Sequence, residues 1–239
     1  MNFLNILLLF SGAISGGLAI FFFKKDNQQK LKLILSFSGA YLFAITVLHL
    51  LPDVYATGNT VVGLYILGGF ILQIILEQFS EGVEHGHVHK HSHNHTANIP
   101  YGIILSLCFH AFLEGMPLSE NTNNQLVYGI AIHHIPAAFA LGSVLLQNNI
   151  SKTYTITLLI VFALMSPMGY VFSSKLSSGN FGDLSQYYQS IMGIVIGIFL
   201  HISTTILFES TVDHKFTIKK TFAVLAGIGI ALIGFFLGH

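Results

Sequence analysis

The chain has 239 residues, of which 53% are hydrophobic and only 8% are charged, and ten lysines balance ten acidic residues. A soluble domain carries about 25% charged residues, so this chain cannot cover a globular surface with polar groups and we expect it to lie in lipid. It contains no arginine, which excludes a basic surface for nucleic acid. Its single cysteine, Cys108, excludes an intrachain disulfide and a cysteine-rich zinc site.

Eight segments are long and apolar enough to cross a membrane, which takes about 20 mainly apolar residues. In chain order they cover residues 3–23, 31–51, 60–80, 100–118, 126–147, 154–173, 187–208 and 220–238. No basic residue precedes the first segment, so we interpret it as a retained helix rather than a secretory signal peptide. The predicted fold class is an all-α integral membrane protein, with one bundle of eight transmembrane helices formed by a single domain over residues 1–239.

The lysines indicate how this bundle is oriented. If the N-terminus is non-cytoplasmic, the cytoplasmic loops hold nine lysines and the opposite side holds only Lys175. Because cytoplasmic loops are enriched in lysine, this bias predicts that both termini are non-cytoplasmic. The nine cytoplasmic lysines would be Lys24, Lys25, Lys30, Lys32, Lys90, Lys152, Lys215, Lys219 and Lys220.

Small residues predict where the helices approach each other closely, because side-chain-free surfaces let backbones meet in lipid. The candidates on the first, seventh and eighth segments are Gly12, Gly16, Gly17, Gly193, Gly197, Gly227 and Gly234.

Two of the apolar segments carry ionisable side chains at membrane depth, where such groups are costly and indicate function. His110 and Glu114 are four residues apart, so they share one helix face and could reach a single ion. His133 and His134 are adjacent and point about 100° apart, so we expect one to face that pair and the other a second pocket or the pore. Imidazole and carboxylate together favour a metal ion over a proton alone. The alternative is a purely structural hydrogen-bonding role.

Five further polar residues stand in or beside the predicted spans. His49 and Asp53, at the outer end of the second segment, are candidates for the route of an incoming ion or for a solvated helix end. His201, in an apolar stretch of the seventh segment, either lines the path or bonds to a neighbouring helix. Glu77 and Glu81 lie at the inner end of the third segment, where a charged helix end is the simpler interpretation and delivery of ions to the next loop is the other.

Residues 82–98 contain a tract in which histidine alternates with other residues. This composition predicts a disordered, metal-binding cytoplasmic loop, because closely spaced imidazoles can wrap Zn²⁺ or a similar ion. Its histidines are His85, His87, His89, His91, His93 and His95.

These features together resemble the ZIP (Zrt/Irt-like) family of zinc and iron permeases, and the resemblance covers the whole chain. The motifs that carry it are His49-Leu-Leu-Pro-Asp53, the stretch Gly69–Glu77 that leads to the histidine tract, His110-x-x-x-Glu114-Gly115, His133-x-x-Pro136, Pro167-Met-Gly169 and Gly197-Ile-Phe-Leu-His201.

The resemblance implies that His110, Glu114 and His133 are the ligands of a transported ion, with His134 or water completing the site. Ligands often found in the family are replaced here by Ala111, Ala137, Ser166, Thr204 and Thr205. We therefore expect one metal site rather than a two-metal centre.

The expected function is transport of a divalent metal ion towards the cytoplasm, with Zn²⁺ first and Fe²⁺, Mn²⁺ or Cd²⁺ as other cargo. We expect no enzymatic activity and no prosthetic group. The expected partners are the metal ion and the lipid bilayer, without nucleic acid, and a homodimer is the assembly to test. A bacterial inner membrane is the favoured location. Two alternatives stay open, a membrane-embedded metal-dependent hydrolase and a metal-sensing protein that carries no flux.

Overall fold

The computed structural model describes residues 3–22, 28–56, 58, 60–80, 82–83, 99–119, 124–177, 187–209 and 217–238, and no β-strand occurs within these ranges. The α-helices are α1 (Phe3–Ala19), α2 (Gln28–Ile45), α3 (Leu51–Tyr55), α4 (Val62–Ser80), α5 (Tyr101–Gly115), α6 (Asn124–Gln147), α7 (Lys152–Ser177), α8 (Tyr188–Glu209) and α9 (Ile218–Gly238). Two short elements complete them, a π turn at Thr46–Leu50 and a 3₁₀ helix at Met116–Ser119.

Seven of the described helical rods are long and apolar enough to cross a membrane. This confirms the predicted all-α integral membrane class, and each rod coincides with a predicted segment to within a few residues. The predicted first segment forms only the 17-residue helix α1. At about 1.5 Å per residue, α1 is roughly 26 Å long, slightly less than the hydrocarbon core of about 30 Å.

The second rod, Leu31–Tyr55, runs through a change of helical type. Its α2 part gives way to the π turn, and α3 follows with Pro52 in its first turn. Proline has no backbone N–H and clashes with the carbonyl four residues earlier. That residue is Leu48, inside the π turn, so the wider turn accommodates the proline without ending the rod.

Glycines set the closest helix contacts. A Cβ placed on any of the seven predicted seam glycines would come within 3.0 Å of an atom on another helix, which confirms that prediction. Gly16 approaches the Ile135 carbonyl and joins α1 to α6, while Gly197 approaches the Ile66 carbonyl and joins α8 to α4. Gly227 likewise brings α9 against the Phe37 carbonyl of α2. These contacts leave room only for hydrogen at the crossing points.

The apolar core is arranged around the middle of the bundle. One cluster joins α1, α5, α6 and α7, and includes Leu107, Ala111, Ala137 and Phe162. A second cluster joins α2, α8 and the N-terminal half of α6. The two predicted ionisable segments lie on α5 and α6, next to the first cluster, so the fold places them inside the protein rather than towards lipid.

Candidate metal centre

Four ionisable side chains meet between α5 and α6. His110 and Glu114 stand one turn apart on α5, and His133 and His134 lie in the first half of α6. Each is at most 2% exposed to solvent. Charged and polar groups this deeply buried need partners from their own cluster, so the arrangement is a built site rather than a set of separate residues.

Glu114 is at the centre of this cluster. Its Oε1 lies 3.4 Å from Nε2 of His110 and 3.9 Å from Nε2 of His133. Its Oε2 lies 2.7 Å from Nε2 of His134. The predicted sharing of one helix face by His110 and Glu114 is therefore confirmed. The sequence left one of the two adjacent histidines to face a second pocket or the pore; in the structure both imidazoles lie near Glu114, one at each carboxylate oxygen.

Three of the four residues converge as a metal site requires. Ligand atoms of His110, Glu114 and His133 all lie within 4.8 Å of one another, and no other group of three such residues occurs in the described parts of the chain. The rings of His110 and His133 are close to perpendicular, with centroids 6.2 Å apart. Two imidazole nitrogens and one carboxylate oxygen form a ligand set suited to Zn²⁺ and related divalent ions.

The backbone around the site is shaped by glycine and proline. A Cβ on Gly115 would collide with the backbone carbonyl of Ser166 on α7, and one on Gly169 would collide with that of Phe112. Helix α5 therefore lies directly against α7 beside Glu114. On α6, Pro136 stands inside the helix, where its ring removes the hydrogen bond to the carbonyl four residues earlier.

Two residues of α7 stand next to the site, and of these only Phe162 was not singled out by the sequence. The Phe162 ring lies 5.5 Å from that of His134, and Phe162 is fully buried. Ser166 is also fully buried, and its hydroxyl has no hydrogen-bond partner within the described residues. Both residues belong to α7, whose apolar sequence gives no signal that distinguishes Phe162 from other core residues.

The remaining candidates lie elsewhere. The His49 ring, in the π turn, meets the edge of Phe235 at 5.2 Å, and Asp53 is exposed on α3. His201 on α8 lies 3.5 Å from Glu77 on α4, and its ring packs edge-on to Phe70 at 4.9 Å. A bond from His201 to a neighbouring helix, one of its two predicted roles, is thus present.

The predicted histidine loop lies almost wholly outside the described residues. Of residues 82–98 only Gly82 and Val83 are described, and Glu81 is not. The metal-binding role of its histidines therefore stays a prediction.

Comparison with known proteins supports the same class as this geometry. Residues 96–234 match the family described as ZIP Zinc transporter. Among curated relatives, rice Zinc transporter 1 (Oryza sativa subsp. japonica) is 24% identical over 144 residues, covering 55% of this chain and 41% of the rice protein. Protein zntD of Dictyostelium discoideum is 27% identical over 146 residues, covering 56% of this chain and 21% of that protein.

The aligned region thus spans less than half the length of either relative. The family match nevertheless covers more than half of this chain, from the segment before α5 into α9, and so includes all four residues of the buried cluster. Members of this family are membrane transporters of divalent metal ions rather than enzymes. The chain therefore belongs to the ZIP zinc transporter family, as the sequence motifs predicted.

Proposed function

We propose that this protein carries Zn²⁺, and with lower preference other divalent metal ions, across a membrane towards the cytoplasm. The observation that supports this most is the buried group of His110, Glu114 and His133, whose ligand atoms lie within 4.8 Å of one another. An ionised carboxylate inside a bilayer is expensive unless it is paired. A bound cation would stabilise the buried carboxylate and offset this cost.

In this proposal His110, Glu114 and His133 are the ligands of one ion, and the fourth position belongs to water or to His134. Imidazole and carboxylate replace the hydration shell that the ion loses inside the bundle. Since Zn²⁺ accepts four-coordinate nitrogen and oxygen ligands readily, it is the ion we place first. Fe²⁺, Mn²⁺ and Cd²⁺ are the competing cargo.

The proposed topology has eight spans, with α1 as the first, and both termini on the non-cytoplasmic side. The nine-to-one distribution of lysines supports this orientation. It places residues 82–98 in the cytoplasm, where their histidines would receive or buffer released ions. We also propose the inner membrane of a bacterium as the location and a homodimer as the assembly.

The proposed outward end of the path includes His49 and Asp53, and the inward part includes Glu77 and His201. Ser106, one turn before His110 on α5, donates a hydrogen bond of 2.7 Å to the Leu76 carbonyl. Because Leu76 precedes Glu77, this contact supports a position for Glu77 near the level of Ser106, about one helical turn along α5 from His110 and on its cytoplasmic side in the proposed orientation. The Glu77–His201 pair, 3.5 Å apart, would then be the next polar stop for an ion that leaves Glu114.

This path makes a prediction about rate rather than affinity. We expect Glu77→Gln and His201→Phe to slow zinc uptake several-fold while zinc affinity at the main site stays at the parental value. Thr204→Val is a matched control on α8, because the Thr204 hydroxyl bonds only to carbonyls of its own helix in the described structure. Parental uptake by both path variants would remove this pair from the route.

The proposed function is tested by metal flux into proteoliposomes that contain the purified protein. Zn²⁺, Fe²⁺, Mn²⁺ and Cd²⁺ are supplied separately, and uptake is compared with that of empty vesicles. We expect Zn²⁺ uptake well above the background of empty vesicles. Absence of flux for all four ions would contradict transport and favour a sensing role.

Acidity gives a further test, because a protonated imidazole has no lone pair for a metal ion. The sign follows directly: protons compete with the ion at His110 and His133, so zinc affinity falls as the pH falls. Equilibrium zinc binding is measured in detergent at about pH 7.5 and about pH 5.5, a range in which histidine commonly changes charge. Affinity that is equal or higher at the acidic pH would contradict a site with two imidazole ligands.

A further inference from the structure

We infer that His134 is a positioning residue that sets ion selectivity: it occupies Oε2 of Glu114, so that Oε1 alone faces the transported ion. This inference rests on the proposed function and assigns His134 a role apart from the ligands. His110, Glu114 and His133 already converge as three ligands, so the fourth buried residue, His134, needs a different role.

The two oxygens of Glu114 are in different surroundings. Oε2 lies 2.7 Å from Nε2 of His134, a full hydrogen bond. Oε1 has no hydrogen-bond partner within the described residues, although it lies 3.4 Å from His110 and 3.9 Å from His133. The oxygen that faces the two proposed ligands is therefore the one still able to bind an ion.

The position of His134 argues against its binding the same ion. It is absent from the group whose ligand atoms lie within 4.8 Å of one another. When Nε2 donates its hydrogen to a carboxylate, that nitrogen has no lone pair left for a metal. The His134 ring is also packed against the buried Phe162, with ring centroids 5.5 Å apart.

The consequence for selectivity follows from ligand number. A carboxylate held by one oxygen, with two imidazoles, suits a small ion that is content with four ligands, as Zn²⁺ is. Mn²⁺ prefers more oxygen ligands in an octahedral arrangement. If Oε2 is released from His134, Glu114 can offer both oxygens, and the site gains more for Mn²⁺ than for Zn²⁺.

The test uses the full-length chain with the six histidines of residues 82–98 replaced by serine, so that the loop does not bind metal. In this background His134→Leu and His134→Asn remove the contact to Oε2, whereas the longer amide of His134→Gln still donates a hydrogen bond. Loss of a group that orients a metal ligand lowers metal affinity by about 10–100-fold. We expect the first two variants to lose Zn²⁺ affinity on this scale and to keep more of their Mn²⁺ affinity, so that the ratio of Zn²⁺ to Mn²⁺ affinity falls by about tenfold. His134→Gln should restore the parental ratio.

Two further measurements separate positioning from other roles. X-ray absorption at the zinc edge should give two imidazole ligands both in the parental protein and in His134→Gln. Ser143→Ala, which changes a buried α6 side chain that bonds to the Phe139 carbonyl of its own helix, should leave the affinity ratio unchanged. Zn²⁺ and Mn²⁺ uptake into proteoliposomes should change in the same direction as the affinities.

Several outcomes would overturn the inference. A third imidazole in the parental protein that is lost in His134→Gln would make His134 a ligand. An unchanged ratio in both His134→Leu and His134→Asn would exclude a role in selectivity. If zinc binding depends on Glu114 while these ratios stay unchanged, only this inference fails. If zinc binding is insensitive to Glu114→Gln, the proposed function fails with it.

Discussion

Replacement of Glu114 by glutamine is expected to lower zinc transport by about 100-fold or more. The side chain keeps its shape but loses the only negative charge in a cluster with three imidazoles, all at most 2% exposed. Removal of one partner from a buried charged group costs about 3–5 kcal/mol, and every 1.4 kcal/mol is about a factor of ten in affinity. An amide oxygen is also a poorer ligand for a divalent ion than a carboxylate.

The Glu114→Gln measurement is zinc uptake per molecule of folded protein in the membrane. Ser143→Ala on α6 is a suitable control, because Ser143 is also buried but bonds only to the Phe139 carbonyl of its own helix within the described structure. We expect that variant to transport at the parental rate. Uptake at the parental rate by Glu114→Gln, at equal membrane abundance, would remove Glu114 from the site.

Substitution of Gly115 by alanine is expected to lower transport about as severely by a different route. The new Cβ would lie 2.8 Å from the Ser166 carbonyl carbon and 2.9 Å from its Cα, and closer still to the oxygen. These are backbone atoms of α7, which cannot rotate away as a flexible side chain can. Overpacking of this kind costs about 1–3 kcal/mol, and any shift of α5 displaces the adjacent carboxylate of Glu114.

The Gly115→Ala test combines uptake with thermal unfolding in detergent, and both are expected to fall. Gly68→Ala on α4 is the matched control, because a Cβ there meets nothing within 4 Å and glycine in a helix interior is less stable than alanine by about 1 kcal/mol. Gly68→Ala should therefore retain transport. A Gly115→Ala protein with parental uptake and parental unfolding temperature would show that α5 and α7 are separated more widely than the structure places them.

The helices were predictable from the sequence because lipid allows few alternatives. A run of about 20 apolar residues must form a helix to satisfy its own backbone, and polar or glycine-rich connections mark the ends. The change of helical type at Thr46–Leu50 was not predictable from hydropathy. The change depends on Pro52, which lies inside a helical segment that continues on both sides of it.

The site was predictable only where its geometry is local. The spacing of His110 and Glu114 fixes a shared helix face, and the structure confirms it. The contacts of His133 and His134 were not predictable in this way. Helix geometry gives the angle between two adjacent side chains, but it does not show that one carboxylate can contact both of them. Glu114 accommodates both because its Oε1 lies 3.9 Å from Nε2 of His133 and its Oε2 lies 2.7 Å from Nε2 of His134.

Contacts between distant parts of the chain could not be predicted from the sequence. Glu77 and His201 are 124 positions apart, and their pairing depends on how α4 packs on α8. The close approach of Gly115 to Ser166 likewise depends on the packing of α5 against α7. A single sequence contains no pattern that predicts such contacts between helices, whereas the spacing of residues along one helix predicts which of them share a face.

The most direct test of the central claim is the number of zinc ions bound per chain at equilibrium. The protein for this measurement has serine in place of the six histidines of residues 82–98, so that the histidine tract contributes no bound zinc. We predict one tightly bound zinc ion per parental chain, lost in each of His110→Ala, Glu114→Gln and His133→Ala. A bound zinc ion that persists in all three variants would contradict the assignment of this buried cluster as the metal centre.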